Sequence, residues 1–473
     1  MIKQACAVMA LAALSACAST PMVFRCNDLR TAKIQQPVPT SAYIKTIQTD
    51  ARPDGTSVKA FADMPTAGFA EEDLRAFIAA NPEAFGLKPS TENGLVEQWE
   101  FTERDGPEKL LALSGGGQWG AFGAGFFDQL EKDGNLPLFD RLTGVSTGAM
   151  QVLFLAAANT EDPDKRRRYL EELVDAYTID AEKEIVDRGS KATALVRGSI
   201  AKLGPLRKLV ERKLCASEED CPLIRDIAGA EADAFVGYVD AESGDFVQAN
   251  VTAIARQYAS GEKSAREARD CMAGVAMASA AVPAFYQQIQ IESHDEEGLA
   301  ERRTVFDGGV RQSVFFALHA EAMRYVAELR SEQVKAAGQA ATAGVADLST
   351  DLYLVRNGPS VAEQTKEANQ PRSVLGNGLH AYSLIVNQTE ITSLEVMHLL
   401  YSGGKESRLV TADQAPSATP GYDKYGAKLC LREGKERAIM FLPRHMACLR
   451  ELGRKKAQSG SPWITLPPPP ANP

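Results

Sequence analysis

The stretch at residues 144–148, Gly-Val-Ser-Thr-Gly, constrains the fold most, because its glycine spacing favours a sharp turn between a strand and a helix. Gly144 and Gly148 stand two residues on either side of Ser146, and residues without a side chain let the two backbones approach closely. Such a turn holds the serine in a strained conformation with its hydroxyl oxygen exposed. Residues 149–158 are apolar except for Gln151, which predicts a buried helix that directs partial positive charge towards Ser146.

A glycine-rich loop upstream is the first evidence that this turn is more than an ordinary turn bounded by glycines. Residues 109–113 form an apolar run, Gly115, Gly116 and Gly117 follow shortly after, and a helix is predicted over 120–132. Consecutive glycines leave backbone N–H groups unobstructed, so the loop can bind an anion or a developing oxyanion.

A third stretch downstream supplies a carboxylate. Residues 304–306 predict a short strand that ends at Asp307, and Gly308 and Gly309 follow it. A nucleophile, oxyanion donors and a carboxylate at separate strand ends are the components of an acyl-transfer site.

Together these stretches resemble the patatin-like phospholipase family, over residues 107–453 of this chain. The family carries a glycine-rich loop, a G-x-S-x-G turn and a D-G-G or D-G-A motif in that order. The resemblance implies that Ser146 is the nucleophile and Asp307 its general base, in a dyad without histidine. It also implies that the amides of Gly115, Gly116 and Gly117 form the oxyanion hole. Trp119 departs from the family, which often has Arg or Lys there.

The fold and activity implied by the resemblance follow from the same motifs. The fold is a three-layer α/β/α architecture with a mainly parallel central sheet, in agreement with the alternation of predicted strands and helices. The activity is that of a serine acyl hydrolase of the phospholipase A type, which cleaves lipid or phospholipid esters through an acyl-enzyme and needs no cofactor or metal. Met272, Met277 and Phe285 are candidates for lining an acyl pocket.

Two other classes of function remain open from the residues. His319, His380, His398 or His445 could complete a Ser-His-Asp triad of a carboxylesterase or thioesterase, because the chain order Ser, Asp, His allows it. The other class is a catalytically silent lipoprotein scaffold, against which the intact motifs count. Since an aspartate ordinarily titrates near pH 4, a dyad predicts activity that persists below pH 6, where a histidine base would be protonated.

Charge and residue spacing disfavour other partners. The net charge of −10 argues against nucleic-acid binding. The cysteines and histidines form neither a C-x-x-C pair nor an H-E-x-x-H motif, so no metal site is predicted.

The first residues are typical of a bacterial lipoprotein signal peptide, which we assign to residues 1–16. Lys3 precedes an apolar stretch too short to span a bilayer, and the stretch ends in Leu-Ser-Ala before Cys17, the predicted site of lipidation. Ala18 after the cysteine indicates the outer membrane, so we expect an exported protein anchored on the periplasmic side. We assign residues 17–106 to a lipid-anchored tether and lead-in, 107–455 to the catalytic domain, and 456–473 to a Pro-rich disordered tail.

Cysteine usage is consistent with export. Six cysteines follow Cys17, at positions 26, 215, 221, 271, 430 and 448, which is an even number for an oxidising compartment. Short sequence separation favours the pairs Cys215–Cys221 and Cys430–Cys448.

We expect Cys17→Ala to release the protein from the membrane fraction or to block its processing, because two or more acyl chains are needed for stable anchoring. Cell fractionation and intact-mass analysis measure this. Cys6→Ala, within the segment predicted to be removed, is the control and should leave the mature mass unchanged. A wild-type mature N-terminus without a diacylglyceryl group would contradict the prediction.

Overall fold

Strands and helices alternate through most of the chain in the computed structural model. It describes residues 20–29, 31–34, 87–92, 95–101, 107–189, 199–230, 232–294, 299–316, 350–359, 374–401, 406–412 and 441–466, with positions 75, 78, 326 and 430. The strands are β1 Met22–Arg25, β2 Thr31–Ile34, β3 Leu87–Glu92, β4 Leu95–Phe101, β5 Glu108–Leu113, β6 Arg141–Val145, β7 Asp187–Arg188, β8 Ala201–Lys202, β9 Asp233–Asp240, β10 Phe246–Asn250, β11 Ile289–His294, β12 Ala300–Asp307, β13 Thr350–Arg356, β14 Glu406–Thr411 and β15 Ile464–Thr465. The helices are α1 Gly120–Lys132, α2 Thr147–Ala158, α3 Pro163–Ala176, α4 Gly204–Leu214, α5 Pro222–Ala228, α6 Val251–Ala259, α7 Ala265–Ser279, α8 Val374–Tyr401 and α9 Pro443–Ala457.

The centre of the main sheet is parallel. Strands β9, β6, β5, β13 and β14 lie side by side in that order and run in one direction. Leu113 of β5 pairs with Gly144 on one side and with Val355 on the other. Because parallel strands end at the same edge of a sheet, the residues that follow β5, β6 and β13 meet there.

Burial explains the composition of these central strands. Strand β6 is buried along its whole length, and β5 along most of it. Helices α1 and α2 pack nearby, and α9 packs on α1. Parallel strands covered on both faces are continuously apolar rather than alternating, as residues 110–113 of β5 are. The predicted helix at 120–132 is confirmed at both ends as α1, and α2 contains the whole apolar stretch 149–158 that predicts a buried helix.

The strands on either side of this centre add antiparallel pairings. Strand β12 runs antiparallel to β9, with Asp307 opposite Tyr238, and β10 pairs antiparallel with β9 as a hairpin. Asp307 therefore reaches the catalytic edge from the opposite direction to Ser146. The predicted α/β class with a mainly parallel sheet is confirmed for the centre, and the whole sheet is mixed.

Two predicted domain boundaries need correction. Strands β1 and β2 lie in the segment assigned as a tether, yet they pair with β11 and β10 in the main sheet, so that assignment is wrong for these strands. The tail boundary at 456 is also wrong, because β15 pairs with β14 and the Trp463 ring packs on Phe126 and Tyr353. Residues 1–16 and Cys17 lie outside the described residues.

The structure pairs all six of the later cysteines. The predicted pairs Cys215–Cys221 and Cys430–Cys448 are confirmed. The third, Cys26–Cys271, spans 245 residues and joins the chain after β1 to α7, a contact that sequence proximity cannot reveal. None of the described helices is both long enough and apolar enough to cross a membrane.

Candidate active site

Ser146 lies at the strained turn that the sequence predicts between β6 and α2. Its φ is 54° and its ψ is −117°, a backbone conformation that a residue with a side chain adopts only when its surroundings enforce it. A Cβ atom added to Gly144 would lie 2.3 Å from the carbonyl oxygen of Gly148. The two glycines are thus required by the close approach of strand and helix.

The end of α7 holds this turn in place. The backbone N–H of Ser146 donates a hydrogen bond to the hydroxyl oxygen of Ser279 at 2.7 Å, and Ser279 donates to the carbonyl of Gly237 in β9 at 2.6 Å. Two residues further on, the carbonyl of Ala281 accepts from the backbone N–H of Asp307 at 3.0 Å. The same short segment therefore fixes both Ser146 and Asp307. Sequence reasoning missed Ser279, although it is the one polar residue in the apolar run 271–282.

Asp307 lines the same cavity as Ser146. The Ser146 hydroxyl lowers the pKa of the Asp307 carboxyl, and the backbone N–H of Gly309 donates to its Oδ1 at 2.7 Å. Only 4% of Asp307 and 8% of Ser146 are exposed. The structure thus brings together the two residues that the sequence singled out for the dyad.

Burial changes the acid–base behaviour expected of this carboxylate. It raises the pKa of Asp307 to about 6, although the hydrogen bonds from Ser146 and Gly309 act in the opposite direction. The expectation of a base that stays ionised well below pH 6 is therefore wrong. Burial also raises the pKa of Tyr286 and Tyr382, and the charge of nearby Asp307 adds to the shift, so both phenols stay protonated.

The glycine loop lies directly beside the serine. A Cβ added to Gly115 would lie 4.0 Å from the Ser146 hydroxyl oxygen, and Gly116 and Gly117 both have positive φ. Among the described residues, no acceptor takes the backbone N–H groups of these three glycines. Free amides next to a nucleophile are what an oxyanion hole requires.

A cluster of two buried polar side chains, Asn357 and Gln151, packs against the glycine loop and the start of α1. The Asn357 amide donates to the Ser114 carbonyl at 3.0 Å and to the Gln151 side chain at 2.8 Å. The Asn357 carbonyl lies where a side chain on Gly116 would have to be, 2.0 Å from an added Cβ. Gln151 also donates to the carbonyl of Gly120 at 2.7 Å. In the sequence Gln151 was the only sign of this cluster, as the lone polar residue of an apolar helix.

A cavity of about 550 Å³ opens onto Ser146, Asp307 and the glycine loop. We call the apolar part of its lining, which comes mainly from α2, α4 and α5, the apolar arm: Leu153, Phe154, Ile185, Leu206, Leu209, Val210, Leu214, Leu223, Val282 and Phe285. We call the mostly polar part, which comes from the end of β13 and from α8, the polar arm: Arg356, Asn357, Tyr382, Ser383, Asn387 and Glu390. Of the predicted acyl-pocket residues, Phe285 lines the cavity, whereas Met272 and Met277 are buried in the core.

None of the histidines in the described part of the chain lines this cavity. His445 is buried with its Nδ1 2.6 Å from the Cys430 carbonyl oxygen, and its ring packs edge-on against Trp119. His380 and His398 lie on α8. His319 lies outside the described residues.

A strained serine at a strand-to-helix turn, beside a buried carboxylate and flanked by free amides, is typical of α/β serine hydrolases. Residues 111–318 match the family model of patatin-like phospholipase, and this part of the chain is a patatin-like phospholipase domain. The family consists of lipid hydrolases. The matched range includes the glycine loop, Ser146 and Asp307.

Comparisons with individual proteins add little to the family match. The crystal structure of VipD from Legionella pneumophila is 11% identical, covering 84% of this chain and 73% of its own, with a TM-score of 0.26. The type III effector protein ExoU is 14% identical, covering 76% of this chain and 55% of its own, with a TM-score of 0.17. Scores this low support no inference about this protein. No curated protein matches the sequence significantly.

Ser279→Ala should slow covalent labelling of Ser146 by a fluorophosphonate by roughly 10-fold or more, because it removes the hydrogen bond that holds the strained turn and leaves a buried N–H unpaired. The unfolding free energy should fall by about 1–3 kcal/mol. Labelling kinetics and thermal unfolding measure the two effects. Ser260→Ala, at the C-terminal end of α6, is the matched control. A variant that is destabilised but labels at the wild-type rate would show that Ser279 does not position Ser146.

Proposed function

We propose that this protein is a lipid acyl hydrolase of the phospholipase A type, with Ser146 as nucleophile, Asp307 as general base and the amides of Gly115, Gly116 and Gly117 as the oxyanion hole. The observation that carries the proposal is that Ser146, at a strained strand-to-helix turn, lines one cavity together with the buried Asp307 and the glycine loop. The family match over residues 111–318 supports lipid hydrolysis in general.

The reaction proceeds in two halves. Asp307 accepts the hydroxyl proton as Ser146 Oγ attacks the ester carbonyl, and the loop amides stabilise the oxyanion of the tetrahedral intermediate. Collapse expels the alcohol, which takes the proton from Asp307, and leaves an acyl-enzyme. Water then attacks the acyl-enzyme, Asp307 accepts its proton, and collapse returns the proton to Ser146 and releases the fatty acid.

The shape of the cavity favours a substrate whose larger apolar part is an acyl chain. Side chains of α2, α4 and α5 form an apolar arm that begins at Ser146, and burying methylene groups there contributes about 0.8 kcal/mol each. A Ser-His-Asp carboxylesterase or thioesterase has no such support, because none of the histidines in the described part of the chain lines the cavity. In a catalytically silent scaffold, nothing would require a serine in the strained backbone conformation with positive φ.

Attachment to a membrane is part of the proposal. Acylation of Cys17 in an exported lipoprotein would hold the catalytic cavity close to a bilayer surface, at the periplasmic side of the outer membrane. Substrate would then be available at high local concentration. The only support for this step is the sequence pattern at residues 1–18.

Ser146→Ala and Asp307→Asn test the assignment of the dyad. We expect Ser146→Ala to reduce hydrolysis of a chromogenic short-chain ester to background, and Asp307→Asn to lower it by about 10²–10⁴-fold, since the general base is lost. His319, His380, His398 and His445 replaced by Gln should each retain activity within about tenfold. Asp245→Asn, in the turn between β9 and β10, is the control for the loss of a carboxylate. Loss of activity in a folded histidine variant would establish the Ser-His-Asp alternative instead.

Activity should fall as the pH drops through about 6. Asp307 accepts a proton only when ionised, and burial raises its pKa to about 6, so kcat/KM should be full above that pH and decline about tenfold per pH unit below it. Between about pH 4 and 6, Asp307 is still protonated in the folded state but already ionised in the unfolded chain. The free energy of unfolding therefore falls as the pH rises through this window. A rate–pH profile of the neutral ester checks the prediction. A profile that stays flat from pH 7 to pH 5 would contradict it.

A further inference from the structure

The polar arm of the cavity contains a buried cation that the dyad mechanism does not use. Arg356 is the last residue of β13, is 3% exposed and lines the cavity. It lies beyond residues 111–318, so the family match does not include it. A buried guanidinium needs anionic or acceptor partners, because an unpaired charge away from water is strongly unfavourable.

The sheet sets the distance between Arg356 and Ser146. Val355 pairs with Leu113 in β5, and Leu113 pairs with Gly144 in β6. The two residues thus follow strands that lie two positions apart, or about 10 Å between backbones at the usual strand spacing. An arginine side chain can bridge most of that distance to a group attached near the scissile ester.

The elements that line the two arms lie on opposite sides of β6 in the order of the sheet. Helix α4 of the apolar arm packs against α7, which in turn packs on β9, β11 and β12. Arg356 lies towards β13, on the other side of β6 and β5. Placing the acyl chain in the apolar arm leaves the polar arm, with Arg356, for the alcohol portion of the ester.

Arg356 is already paired with an anion, the carboxylate of Glu390, and with the side-chain oxygen of Asn387. Its Nη2 donates to Asn387 at 2.8 Å and to Glu390 Oε2 at 3.3 Å, and its Nε lies 3.2 Å from Glu390 Oε1. Neither that Nε nor Glu390 Oε1 makes a hydrogen bond of good geometry. Burial raises the pKa of Glu390, while Arg356 and Ser114 act against the rise. Arg356 is thus held by Asn387 and Glu390 through Nη2, while its Nε has no well-aligned acceptor among the described residues.

We propose that Arg356 is the specificity-determining residue of the alcohol arm and binds a phosphate group of the substrate, with Glu390 as the resident carboxylate that the phosphate displaces. The inference rests on the proposed function. A planar guanidinium matches phosphate oxygens in a bidentate geometry that Glu390 does not achieve here. The site would therefore favour glycerophospholipids over uncharged acylglycerols with the same chains.

Binding to the Ser146→Ala variant tests this without turnover. The probes are dihexanoylphosphatidic acid and dihexanoylglycerol, which differ in the phosphate, measured by calorimetry at fixed ionic strength. We expect the phosphate-bearing probe to bind at least about tenfold more tightly, Arg356→Gln to bring the ratio to within about threefold, and Arg356→Lys to keep part of the preference. Glu390→Gln should raise the ratio, because the competing carboxylate is gone.

Lys213→Gln provides the matched control. Lys213 is the cation of the apolar arm, paired with Asp175 at 2.9 Å, and its loss should leave the preference intact. Inorganic phosphate is the third probe; binding as tight as that of the phospholipid would assign the site to free phosphate and overturn the proposal. A preference that survives Arg356→Gln, does not rise in Glu390→Gln, or is lost equally in Lys213→Gln would overturn it too. If the probes behave as expected but wild type shows no turnover, the proposed function fails and the binding site stands.

Discussion

The positive φ of Ser146 is the constraint on which the rest of the site depends. The conformation is unfavourable for a residue with a side chain, and three features outweigh it: glycines at 144 and 148, the buried hydrogen bond that the Ser146 N–H donates to Ser279, and the packing of α2 against the sheet. The glycines and α2 are neighbours of Ser146 in the chain, whereas Ser279 lies 133 residues further on. The strained turn is therefore stable only after the sheet and α7 have assembled around it.

Burial of Asp307 has a favourable and an unfavourable consequence. Removal from water raises its pKa to about 6, which makes it a stronger base than an exposed aspartate and matches it better to a serine hydroxyl near neutral pH. The same burial means that ionisation of Asp307 destabilises the folded state. It also narrows the pH range over which the carboxylate can accept a proton. If Asp307 is the base, as proposed, it titrates close to an ordinary histidine.

Several parts of the fold and the site could be predicted because their signals are local. Glycine spacing located the turn at Ser146, a strand ending in glycines located the loop at Gly115, and apolar periodicity gave α1 to the residue and the position of α2. The strands β1, β2 and β15 could not be predicted as parts of the main sheet, because each is short and pairs with residues far along the chain. Their polar or proline-rich surroundings suggested a tether and a tail.

The sequence by itself determined which residue types could carry the chemistry, since a nucleophile, its base and the amides beside them each require a particular local backbone. Only the tertiary structure decided how these residues behave together. The antiparallel entry of β12 brings Asp307 to Ser146, burial sets its pKa, and Ser279, Asn357 and Arg356 reach the site from separate elements. These properties depend on distance and on exclusion of water, and neither is a function of position along the chain.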